Sequence, residues 1–160
     1  MTVFEARLRI EVPADRAWSA LEAMGDWLPR LSTVRAVEPD VSGPRASPDG
    51  SGANSLRLRT GLCYLTRTSE GATMRCRVME ADRSRGRVRI AATLGPLRSR
   101  LLCAVEQDGP DACTLVRRQD YPGPVGRVFT WLFRAREQAE TAAYLRVWAD
   151  EALAGSAGRG

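Results

Sequence analysis

The chain has 160 residues, 44% of them hydrophobic and 27% charged, with a formal net charge of +5. That is one domain's worth of chain, long enough to build a core without disulfide or metal staples. It contains no His and no Lys, so all 24 basic residues are Arg. These absences exclude Ser-His and Cys-His catalysis, His-ligated metals, Schiff-base chemistry and the P-loop lysine. No run of about 18 apolar residues is present to span a membrane. The opening MTVFEARLRIEV alternates and carries charge throughout, so an export signal is not expected and a cytoplasmic location is.

Thr2 to Val12 reads as a strand, with Phe4, Ala6, Leu8, Ile10 and Val12 on one face. Pro13 ends it and suits the first turn of a helix, PADRAWSALEAM, whose Ala17, Trp18, Leu21 and Met24 share a face. Gly25 is expected to stop that helix and Asp26 to cap a second short one, DWLPRLS. Val34 to Val37 is a short strand, and the Pro-, Gly- and Ser-rich segment 39–54 reads as a long loop, either a plain surface insert or a lid. From Ser55 the pattern is β: SLRLRTGLCYLTRTS, bent at Gly61, then ATMRCRVMEAD, GRVRIAATL, LRSRLLCAVEQ and ACTLVRRQDY. The breaks between these runs are short enough for antiparallel hairpins, so a parallel nucleotide-binding sheet is excluded.

A long helix follows from about Pro124 to Leu153, with Val128, Leu132, Ala135, Ala139, Ala142, Arg146 and Ala149 tracing one face. Around VFTWLF the helix is apolar on nearly all sides, which requires all-round burial or contact with a ligand or partner. The boundaries expected are a single domain over 1–154 and a disordered tail over 155–160. The order is thus strand, two short helices, six strands and one long helix, an α+β layout. One helix covers a strip about 10 Å wide, whereas seven strands spaced at about 4.8 Å are wider. The sheet must curl around the helix, and curling leaves a cavity whose mouth lies near the short helices and the long loop.

Four stretches carry a family resemblance: EVPADRAWSALEAMGDWLPRLSTVRAVE, CRVMEADRSRGRVRIAATLGPLRSRLL, CTLVRRQDYPGPVGRVF and the closing YLRVWADEALA. The chain resembles the START-like helix-grip (SRPBCC) superfamily, of the polyketide cyclase/dehydrase and lipid-transport type. The resemblance implies a seven-stranded curved antiparallel sheet wrapped around the C-terminal helix, with a hydrophobic cavity between them. It also implies a range of roles, among them aromatase/cyclase, hydrolase, lipid carrier and metabolite binder, and fold alone does not choose. If the protein is an enzyme, the family implies cyclisation with dehydration or aromatisation in natural-product biosynthesis. In such cyclases pocket Arg and Tyr side chains position an acyl-carrier-bound chain. A non-catalytic carrier of a lipid or toxic metabolite is a second role. A protein-interaction module with a filled interior is a third.

Strand alternation places Leu58, Tyr64, Met74, Cys76, Ile90, Ser99, Leu101 and Cys103 on the inner face. The last strand presents either Leu115, Arg117, Gln119 and Tyr121 or Val116, Arg118 and Asp120, since a shift of one residue exchanges the sets. Tyr64 and Tyr121 are candidate proton donors, and Arg117 or Arg118 is a candidate stabiliser of carbonyl or enolate charge. Asp120 is a candidate base if burial raises its pKa. Trp27 and Trp131 are the tryptophans chosen to line a planar ligand. Cys63, Cys76, Cys103 and Cys113 form no CxxC pair and read as reduced core thiols. No metal and no cofactor is called for. Arg57/Arg59, Arg75/Arg77, Arg87/Arg89 and Arg98/Arg100 form a basic stripe on the opposite face. The stripe is solvated or docks an acidic protein such as an acyl carrier. Nucleic acid is disfavoured, because no aromatics interleave the arginines. No feature sets an oligomeric state.

Overall fold

A computed structural model describes residues 3–42 and 56–157. Seven antiparallel strands run β1 (Val3–Ile10), β2 (Val34–Pro39), β3 (Cys63–Thr68), β4 (Thr73–Asp82), β5 (Arg87–Leu94), β6 (Leu97–Gln107) and β7 (Cys113–Asp120). They form one sheet in the order β1-β7-β6-β5-β4-β3-β2. Three helices complete it: α1 (Ala14–Glu22), α2 (Met24–Trp27, followed by a 3-10 turn Leu28–Arg30) and the long α3 (Gly123–Ala157). This is the helix-grip architecture expected from the sequence. The segment expected as a loop or lid lies outside the described residues from 43 to 55. The helix α3 continues to Ala157, into the segment expected as a tail, and residues 158–160 lie outside the described residues.

Two local expectations are corrected. Gly25 does not end a helix; it lies inside α2, and the break falls at Ala23 (φ −88°, ψ 23°). Its lack of a side chain serves a close approach, since a Cβ there would lie 2.9 Å from the Cβ of Leu56. The strand expected from Ser55 begins only at Cys63. Before the turn at Gly61 the chain leaves the sheet, and the Leu58 amide donates to the Glu22 carbonyl (2.9 Å). Alternation survives there without a ladder, so Leu58 is buried against the helices rather than on the sheet's inner face. The thiols are likewise divided: Cys76, Cys103 and Cys113 are buried, but Cys63 is exposed.

The helix α3 packs on β1, β7, β6 and α1, leaving the β3–β5 half of the sheet without a helix directly above it. At its C-terminal end the gap is filled. Trp148 donates from Nε1 to the Ala17 carbonyl (2.9 Å) and meets Tyr144 edge-on, while Trp18, Leu21 and Met24 close the same core. At its N-terminal end, beyond a break in helical geometry at Phe133 (φ −116°, ψ 20°), the gap stays open. Of the face expected to pack, only Ala149 near the C-terminal end is buried. Val128, Leu132, Ala135 and Ala139 are exposed, and the buried stripe is Thr130, Glu137, Thr141, Tyr144 and Trp148.

Candidate functional site

A cavity of about 250 Å³ lies between α3 and the sheet. Its apolar walls come from β4 (Met74, Cys76), β5 (Ile90, Ala92) and β6 (Leu101), with Leu28 and Leu31 from the segment after α2. Tyr64, Ser99, Arg117 and Tyr121 also line it. Of the residues expected at a ligand, Tyr64, Met74, Cys76, Ile90, Ser99, Leu101, Arg117 and Tyr121 therefore share one cavity. An interior filled throughout, as a pure interaction module requires, is not found.

Four expected residues lie elsewhere. Leu58 is core, as described. Trp27 is buried one layer behind the cavity, donating from Nε1 to the Ala20 carbonyl (2.7 Å) and meeting Tyr144 edge-on at 5.2 Å. Cys103 is also behind it, with Sγ 3.6 Å from the Tyr144 hydroxyl. Both residues brace Tyr144, which is the side chain that reaches the cavity. Trp131 points the other way and is 79% exposed.

Register decides between Arg117 and Arg118. In the β1–β7 ladder Ala6 faces Arg117 and Glu5 faces Arg118, so the arginine opposite the apolar face of β1 is Arg117. Its side chain is buried. Nη1 donates to Thr141 Oγ1 (2.6 Å), Nη2 donates to Gln119 Oε1 (2.7 Å), and the guanidinium lies 4.5 Å from the centre of the Tyr144 ring. Both acceptors are neutral. Among the described residues no carboxylate reaches Arg117 within ion-pair distance, and its Nε–H has no partner. A buried cation without a counter-charge is costly. Asp120 falls on the outer face, where it pairs with Arg100. That position and partner remove it as a cavity base.

Beside Arg117 sits a pair the sequence did not reveal. The Tyr121 hydroxyl donates to Glu137 Oε2 (2.5 Å), and both side chains are buried. Burial and the neighbouring carboxylate hold the Tyr121 phenol well above its ordinary pKa, so it stays protonated. Burial also raises Tyr64 and Cys76, so neither supplies a phenolate or thiolate near neutral pH. Burial pushes Glu137 up from 4.5, outweighing the lowering by Tyr121 and Arg117. A raised carboxyl makes the folded chain hold a proton that the unfolded chain releases, so its contribution to stability falls as pH rises above about 4.5. Glu137→Gln is therefore expected to melt above the parent at neutral pH, with the gap closing towards about pH 4. Thermal melts across that range check this; a gap that widens in acid contradicts it.

The mouth is bounded by aromatics and one surface ion pair. Tyr121, Phe129 and Phe133 stack in series at 4.8 and 5.0 Å. Arg136 of α3 reaches Glu70 of the β3–β4 turn (2.8 Å) across the opening. An exposed pair of this kind is worth under about 1 kcal/mol, so it does not lock the mouth. Gly126 sets the entry of α3 against Tyr121, since a Cβ there would lie 2.2 Å from the Tyr121 carbonyl oxygen. On the far side of the sheet, Arg75, Arg77, Arg98 and Arg118 are exposed. Arg100 pairs with Asp120 there, and Arg87 and Arg89 pair with Glu80. Arg57 and Arg59 precede β3 and do not extend that row. No described helix is long and apolar enough to cross a membrane, and no described group of His, Cys, Asp and Glu is arranged to hold a metal.

The fold and cavity now have a family. Residues 1–147 match the model described as polyketide cyclase / dehydrase and lipid transport, and the chain belongs to that family. Among solved structures, TTHA0849 from Thermus thermophilus is similar at 17% identity and a TM-score of 0.70, over 97% of this chain and 99% of that one. The Zhui aromatase/cyclase from Streptomyces sp. R1128 is similar at 15% identity and 0.68, over 94% and 93%. Truncated norcoclaurine synthase from Thalictrum flavum is similar at 15% and 0.65, over 94% and 90%. At these identities the likeness is one of fold. No curated protein matches the chain in sequence.

Proposed function

We propose that the cavity binds a hydrophobic, polyketide-like molecule and that the protein acts on it as a cyclase/aromatase in natural-product biosynthesis. The observation that carries this is the buried Arg117, with no described carboxylate within ion-pair distance, at the end of apolar walls and with the Tyr121–Glu137 pair beside it. An apolar cavity with a few convergent polar groups suits a mostly hydrophobic ligand bearing oxygen functions. The solved aromatase/cyclase and synthase of like fold support the same class of chemistry.

In this scheme the walls fold a poly-carbonyl chain into a reactive conformer. Glu137, as carboxylate, takes a proton from an activated carbon, and that carbon attacks a carbonyl to form one C–C bond. Arg117 stabilises the negative charge that grows on the carbonyl oxygen. Tyr121 passes a proton to that oxygen and recovers one from Glu137. Loss of water from the new alcohol then gives the aromatic ring, with no oxidant needed. Where the chain arrives on an acyl carrier protein, its arm enters at the Phe133–Glu70 mouth, because the outer arginine face lies across the sheet from the cavity.

The test supplies a carrier-bound, unreduced poly-β-ketone and follows products by mass spectrometry. One cyclised aromatic product that forms with the parent and is lost with Arg117→Met is the expected result. Binding with an unchanged product mixture would overturn the chemistry and favour a non-catalytic carrier.

A further inference from the structure

The outer face of the first part of α3 has no partner among the described residues. Val125, Val128, Trp131 and Leu132 are all exposed. At 100° per residue these four, all before the break at Phe133, fall on one arc of about a third of the helix. Arg127 and Arg134 edge this arc on one side, where both stand beside Trp131. Residues 123–136 contain no Asp or Glu. Arg127 and Arg134 lie one heptad apart, and with Trp131 and Thr130 they line an open cleft of about 420 Å³. Neither arginine has an ion-pair partner among the described residues.

We propose that this face docks the protein on an anionic phospholipid surface. An apolar stripe edged by arginines matches a helix lying in a membrane interface, where the stripe enters the acyl boundary and the guanidinium groups reach the headgroups. The Arg127–Trp131–Arg134 cleft offers a headgroup phosphate two cations beside an aromatic ring suited to the interface. A second copy of the chain is a poorer occupant, because self-association would bring these unpaired arginines together. Apart from the Trp131 indole N–H, the stripe presents only carbon side chains, and an indole N–H suits the carbonyls of a lipid interface. The inner face of the same segment supplies Phe129 and Phe133 to the cavity wall. Docking therefore sets the mouth beside the bilayer. This inference does not depend on the cyclisation chemistry.

Sedimentation with vesicles of equal parts phosphatidylglycerol and phosphatidylcholine tests it, with phosphatidylcholine alone as the comparison. The parent is expected to bind the anionic vesicles, with weakened binding at high salt. Trp18, Trp27 and Trp148 are buried, so a blue shift of tryptophan emission on binding reports Trp131. Arg127→Gln with Arg134→Gln is expected to lower partitioning roughly thirtyfold, and Trp131→Ser about tenfold. Arg75→Gln with Arg77→Gln, on the outer sheet face, is expected to leave it unchanged. All these positions are exposed, and circular dichroism melts verify folding. Failure of the folded parent to bind anionic vesicles would overturn the proposal. So would loss of binding with the sheet-face variant alone, or a dimer abolished by Trp131→Ser with no vesicle binding. Binding to an acidic carrier protein without vesicle binding would overturn it too.

Discussion

Arg117→Met is expected to lower the affinity for naphthoic acid, an aromatic carboxylate probe, about ten- to a hundredfold, while moving the melting temperature by less than about 4 °C. The affinity loss follows from removing a charged hydrogen-bond donor in a desolvated site, worth roughly 1.5–3 kcal/mol. The small stability change is the less intuitive half. Methionine forfeits the bonds to Thr141 and Gln119, at about 1 kcal/mol each. It also removes a buried cation that has no carboxylate partner, and that relief offsets the loss. Calorimetric titration and thermal melts measure the two. Unchanged affinity would remove Arg117 from the site. A destabilisation above about 3 kcal/mol would make it a structural keystone instead.

Trp148→Ala is expected to cost about 3–5 kcal/mol, whereas Phe133→Ala costs under about 1 kcal/mol and instead weakens probe binding. Trp148 is fully buried and ties α3 to α1 through the Ala17 carbonyl, so truncation leaves both a void and an unpaired acceptor. Phe133 is 39% exposed and lines the open end. The pair contrasts the filled and hollow halves of one helix. Chemical denaturation reads the stability, and equal costs at the two positions would contradict the division.

The strands were legible because one face of each is buried, so period-two alternation survives in Phe4–Val12, Cys76–Val78 and Val88–Ala92. The cavity followed from width alone, one helix under seven strands. Register was not legible at β7, where both Arg117 and Arg118 fit an alternating pattern. Only the pairing of Ala6 with Arg117 decides. The faces of α3 were misread for a physical reason: apolar residues are expected inward when a core is filled. Here the inward residues near the cavity are Glu137 and Thr141, and the apolar Val128, Trp131 and Leu132 are outside. The spacing of Glu137, Thr141, Tyr144 and Trp148 held the true stripe, but its polar start hid it. Trp27 and Trp131 show the same limit, since aromatic identity does not say whether a ring braces a wall, forms one or faces away.

Native mass spectrometry of the purified protein, before and after mixing with an extract of its own host, tests the cavity most directly. A retained, non-covalent mass of a few hundred daltons that is lost from Arg117→Met is the expected result. A bare parent protein in both samples would contradict a ligand-holding cavity.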